Sequence, residues 1–130
     1  MRGFVFDAGA FVALERRSPL LLGILDEALH GTVGLVLPRT VIAQVWRGGP
    51  RQANVGRLIS AGRAGGGPVI IDELTPGRAK QIGVTIAATS HPDVVGVHVA
   101  VAAAEQGHAV LTSDDGDIAG INSELILVHV

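Results

Sequence analysis

The chain has 130 residues, a common size for one compact domain, and a single domain over residues 1–130 is expected. Apolar residues make up 48% and charged residues 17%, which excludes a disordered chain, and the absence of cysteine excludes disulfides and thiolate metal sites. A formal net charge of -2 gives no overall attraction to nucleic acid, so any such binding has to come from a local basic patch.

The opening run Met1-Arg2-Gly3-Phe4-Val5-Phe6-Asp7 meets an acid before a signal-peptide core develops, and no apolar run approaches the roughly 18 residues of a membrane span. A soluble, cytoplasmic protein with no membrane partner is expected. A first strand is predicted over Gly3–Phe6, followed by helices over Ala8–Glu15 and Pro19–His30. A strand over Thr32–Leu37 leads to helices over Arg39–Arg47 and Arg51–Ala61, then to a strand over Pro68–Ile71. Helices over Pro76–Ala88 and Pro92–Gln106, a strand over Ala109–Leu111, a helix over Asp115–Ile121 and a strand over Leu125–Val128 complete the series.

The strands are continuously apolar rather than alternating, which suggests that both their faces are covered. Strands alternating with helices predict an α/β fold with a mostly parallel central sheet of four to five strands. The breaks agree with this division. Gly31 and Gly107 follow helices as C-cap glycines, Ser18-Pro19 and Thr75-Pro76 read as an N-cap followed by proline, and Ala64-Gly65-Gly66-Gly67-Pro68 reads as a turn.

Open parallel sheets bind ligands beyond the carboxyl ends of their strands. Asp7 follows the first strand at once, and Asp114, with Asp117 behind it, follows Leu111-Thr112-Ser113. Carboxylates converging at a sheet edge repel unless a divalent cation neutralises them, so magnesium (Mg2+) or manganese is the natural partner. Such an ion lowers the pKa of bound water and stabilises charge on a phosphodiester. The alternative is structural: Asp7 as the N-cap of the first helix, Ser113 or Asp114 as the N-cap of another, with the remaining acids complementing its dipole.

Three blocks, in this order and spacing, resemble the PIN-domain ribonucleases of the VapC toxin type. They are Val5-Phe6-Asp7-Ala8-Gly9-Ala10-Phe11-Val12-Ala13-Leu14-Glu15, then Leu37 to Arg51 around Ala43-Gln44-Val45-Trp46, then Val110-Leu111-Thr112-Ser113-Asp114-Asp115-Gly116-Asp117-Ile118. The resemblance spans nearly the whole chain. It implies a three-layer α/β/α sandwich, metal-dependent cleavage of RNA, a VapB-type antitoxin as partner and a homodimer. Catalytic roles fall on Asp7, Asp114, Asp117 and Gln44, and metal ligation on Asp7, Asp114, Asp117 and Asp93.

Two positions depart from the family's pattern: Gln44 stands where it has a glutamate and Gly96 where it has an aspartate. Gln44 keeps the length and a carbonyl oxygen but removes a charge, and Gly96 removes the side chain with no visible local reason. Asp93, three residues before Gly96, lies on nearly the same helical face and is a candidate substitute, although Ser90-His91-Pro92-Asp93 also reads as N-cap, N1, N2 and N3. The departures motivate a second reading, a catalytically degenerate PIN domain that binds RNA or antitoxin.

Arg47 and Arg51, with Arg16 and Arg17 nearby, are candidates for holding phosphate oxygens, or else solvated arginines. Trp46 is expected as a core or interface anchor and His98 as a helix-surface histidine, with a place facing the crevice, two residues after Gly96, as the alternative. The histidines show no zinc spacing as a set. A flavodoxin-like signalling domain ranks low, because no glycine-rich phosphate fingerprint follows the first strand.

Overall fold

The computed structural model describes residues 2–63 and 67–130; residues 64–66 of the expected glycine-rich turn lie outside the described residues. Strands β1 (Gly3–Phe6), β2 (Gly34–Pro38), β3 (Val69–Asp72), β4 (Ala109–Thr112) and β5 (Leu127–His129) form the sheet. Between them run helices α1 (Ala8–Glu15), α2 (Pro19–Leu29), α3 (Arg39–Val45), α4 (Ala53–Arg63), α5 (Pro76–Thr89), α6 (Val94–Gln106) and α7 (Asp115–Ile121). A single 3-10 turn, Pro50–Gln52, precedes α4.

The strand order is β3-β2-β1-β4-β5 and every pairing is parallel. From the central β1 the chain winds first toward β3 and later toward β5, so the order reverses between β1 and β4. In open parallel sheets that reversal, at the carboxyl edge, is where a ligand crevice is expected. Gly3–Phe6 are buried throughout, as expected of a strand covered on both faces. Helix α1 packs against β1 and β4, and α4 against β3. Helix α6 packs against β1, β2 and β4, with α5 and α7 beside it. Its buried Ala100, Ala102 and Ala103 allow the close approach to the sheet. Phe6 and Phe11 meet edge to face, with ring centroids 5.0 Å apart, and tie α1 to β1.

Local chemistry sets the helix ends. Thr75 caps α5 by accepting from the Arg78 amide at 3.0 Å, with Pro76 at the first helical position. Gly107 ends α6 in the left-handed region, at φ 68. Helix α6 begins at Val94 rather than Pro92, because Asp93 is itself the N-cap and accepts from the Val95 amide at 3.0 Å. Helix α3 ends at Val45 rather than Arg47, where Trp46 turns extended. Buried Gln52 holds that turn: its Oε1 accepts from the amides of Arg47 and Gly48, and its Nε2 donates to the Val45 carbonyl. No helix among the described residues is long and apolar enough to cross a membrane.

Candidate functional site

Asp7 leaves β1 at the level of the β1/β4 reversal, with its amide donating to the Leu111 carbonyl of β4 at 3.0 Å. It is the N-cap of α1: Oδ1 accepts from the Ala8 amide at 2.8 Å. Its other oxygen, Oδ2, accepts from the Thr112 hydroxyl at 2.7 Å, and Thr112 Oγ1 accepts from the Asp114 amide at 2.9 Å. Asp7, Thr112 and Asp114 thus form one hydrogen-bonded unit across the crevice. The capping role expected of Asp7 is real but uses only one of its oxygens. Asp114 holds the N-cap position of α7 without any side-chain capping bond, leaving its exposed carboxylate uncommitted there.

Gly9 makes this approach possible. A Cβ at residue 9 would collide with the Ser113 hydroxyl and stand 2.8 Å from both Ser113 Cβ and the Ser113 amide nitrogen. Any larger residue would push α1 away from the β4–α7 turn.

A second pair of acids lies beside Gly96. A Cβ at residue 96 would stand 2.8 Å from Asp93 Oδ2 and 3.4 Å from Asp117 Oδ2. The missing side chain therefore has a local correlate: the space beside Gly96 is taken by the Asp93 carboxylate. Asp93 serves as both N-cap and crevice neighbour, with Oδ1 on the Val95 amide and Oδ2 turned toward residue 96. Asp117 Oδ1 lies 2.8 Å from Nε2 of His91, whose Nδ1 is buried without a partner.

Among the described residues, no three His, Cys, Asp or Glu side chains are gathered closely enough to hold a metal ion. The donors that do converge are hard carboxylate oxygens, in pairs. That set matches magnesium held by one or two carboxylates, with water and phosphate oxygens completing its shell, rather than a cage of protein ligands.

Gln44 is exposed on α3. Arg47 and Arg51 are also exposed; Arg47 Nη1 donates to the Trp46 carbonyl at 2.8 Å, and Arg51 lies 3.9 Å from Glu15. Trp46 is 42% exposed and lies over Gly56, so it is no core residue. His98 corrects a second expectation: it is fully buried rather than on the helix surface, because its face of α6 is turned inward toward Thr40 and Asp72.

The polar cluster around His98 was not foreseen from sequence. Asp72 Oδ1 accepts from His98 Nε2 at 2.7 Å and from Arg78 Nε at 2.9 Å, and Asp72 Oδ2 accepts from Arg78 Nη2 at 2.7 Å. Arg78 Nη1 also reaches Glu105 at 2.6 Å. Burial alone would push the Asp72 carboxyl up, but hydrogen bonds from Arg78 and His98, with the Arg78 charge, hold it below the usual carboxylate range. The same contacts hold the Arg78 guanidinium above its ordinary value. Thr112 carries no sequence signal of its own either, although it directly precedes the Ser113-Asp114 pair.

The architecture is a PIN-like three-layer α/β/α fold with a parallel five-stranded sheet, and Asp7 and Asp114 stand at the ends of the two strands that flank its switch point. The chain is similar to one in the solved structure of FitAB bound to an IR36 DNA fragment, with a TM-score of 0.57, 14% identity, and coverage of 97% of this chain and 94% of that one. By sequence, neither a family model nor a curated protein matches.

Proposed function

We propose that the chain is an endoribonuclease of the VapC toxin type, hydrolysing RNA phosphodiesters at the crevice between β1 and β4. The observation that carries this reading is the Asp7–Thr112–Asp114 unit, in which the Thr112 hydroxyl ties the Asp7 carboxylate to the backbone amide of Asp114 and so sets two acids from the ends of β1 and β4 at one sheet edge. Asp7 and Asp114 would hold Mg2+ or Mn2+, with Asp117 and Asp93 lining the same edge. The bound ion supplies a lowered pKa for water and charge stabilisation at phosphorus. The chain's own residues do the rest: Thr112 orients the Asp7 carboxylate, Gln44 offers a neutral carbonyl to a water, and exposed Arg47 and Arg51 present guanidinium groups to phosphate oxygens.

Support from the fold is general. The similar FitAB structure holds a DNA fragment, and the shared architecture extends over nearly all of both chains. A VapB-type antitoxin and a second copy of the chain belong to the same reading as partners. The apolar surface needed for self-association is represented by Val84, 71% exposed on α5.

A second reading is favoured by the paired rather than clustered acids: a degenerate PIN domain that binds RNA or antitoxin with little hydrolysis. The two separate on one assay. Purified, antitoxin-free protein is given structured RNA with Mg2+ or Mn2+, beside the Gln44→Glu/Gly96→Asp double variant. Cleavage by the wild type supports the enzyme; cleavage by the double variant alone supports the degenerate domain. In the double variant the Asp93 carboxylate has to swing away, which an exposed side chain does at little cost.

A further inference from the structure

Helix α3 is seven residues long, its N-cap is Pro38 with no side-chain capping bond, and its first turn holds no acid. A helix this short and uncapped does not hold itself in place; its position depends on tertiary ties. Val41 and Ile42 pack into the core, and two polar ties act on its first turn. Arg39 makes a bidentate pair with Glu73 at 2.7 Å for each bond, but that pair is exposed and contributes little. The other is buried. Thr40 Oγ1 lies 2.7 Å from His98 Nδ1, and the opposite ring nitrogen meets Asp72.

Ionised Asp72 only accepts, so His98 Nε2 donates to it, and the Thr40 hydroxyl pairs with Nδ1 on the other side of the ring. The Asp72 carboxylate is in turn held by both arms of Arg78, and side chains facing the ring are thereby paired on each side. Thr40 and Gln44 are four residues apart, on one face of α3. His98 lies two residues beyond Gly96 on α6. The chain Asp72–His98–Thr40 therefore links the two elements that carry the departures at 44 and 96.

We infer that His98 is a positioning residue of the crevice: through Thr40 it fixes the first turn of α3 against α6, and so sets where Gln44 stands. The inference rests on the crevice being the reactive site proposed above. It differs from a Thr–His–Asp nucleophile arrangement, since the Arg78 pair already neutralises the carboxylate that would stabilise a protonated imidazole.

The test uses the full chain with Thr40→Val, which keeps shape and removes the hydroxyl, and Thr40→Ser, which keeps it. Amide hydrogen exchange needs no RNA. Exchange in α3 rises on the order of tenfold in Thr40→Val and returns to wild type in Thr40→Ser, because a buried ring nitrogen is left unpaired only in the former. Unchanged α3 exchange in a folded Thr40→Val protein overturns the inference. With RNA, at a temperature where both proteins are fully folded, kcat falls in Thr40→Val while KM holds; a fall in Tm with unchanged kcat also overturns it, leaving a purely structural tie. If the wild type cleaves no RNA, the proposed activity fails by itself, and the exchange result still decides whether His98 fixes α3. If Thr40→Val does not fold, His98→Gln, read by the same exchange, replaces it.

Discussion

Gly9 is small because the β4–α7 turn runs across it, and the close approach of α1 to Ser113 depends on that smallness. Gly9→Ala is expected to cost about 1–3 kcal/mol, as overpacking of a tight contact does. Denaturant unfolding checks this, and an unchanged midpoint would contradict the packing described. Thr112→Val tests the hydroxyl that donates to Asp7 Oδ2 and accepts from the Asp114 amide. Its loss leaves both without that partner, so stability should fall by about 1–3 kcal/mol and RNA cleavage, measured where the variant is folded, should drop on the order of tenfold or more. At this scale sequence reading was uneven. Asp7 and Asp114 were legible because acids stand out directly after apolar strands. Thr112, His98 and Asp72 were not, because their roles depend on partners 105, 58 and 26 residues away, which no local pattern encodes.

Element boundaries followed from apolar runs and glycine or proline breaks, and α1, α7 and β1 have the expected ends. The misplaced ends have side-chain causes. Asp93 caps α6 later than the Pro92 signal suggested, and Gln52 draws the chain extended after Val45. The most buried arginine–carboxylate pair among the described residues is Arg78 on α5 with Asp72 at the end of β3, both side chains about nine-tenths buried, at 10% and 11% exposure. The folded Asp72 carboxyl binds its proton more weakly than the unfolded one. Its ionised form therefore stabilises the fold at neutral pH, and that contribution is lost as pH falls below the usual carboxylate range through the folded pKa. Asp72→Asn should lower stability by about 3 kcal/mol at pH 7 and flatten the acid limb of a stability-against-pH curve. An acid limb unchanged by Asp72→Asn would assign acid sensitivity to other groups.

At the level of the whole molecule, the switch point between β1 and β4 decides where function can sit, and alternating apolar segments made that topology readable from sequence. The assembly state was not readable, since self-association depends on which apolar helix faces pair. Val84→Lys on α5 is expected to shift the mass seen by light scattering from dimer toward monomer; a wild-type monomer at all concentrations would refute dimerisation. The central claim concerns the crevice, and single-turnover cleavage of structured RNA with Mn2+ tests it most directly. Wild-type protein should cut and Asp7→Asn, folded to the same Tm, should not. Equal cleavage by the two, or none by the wild type, would contradict the assignment of Asp7 and Asp114 as the reactive centre.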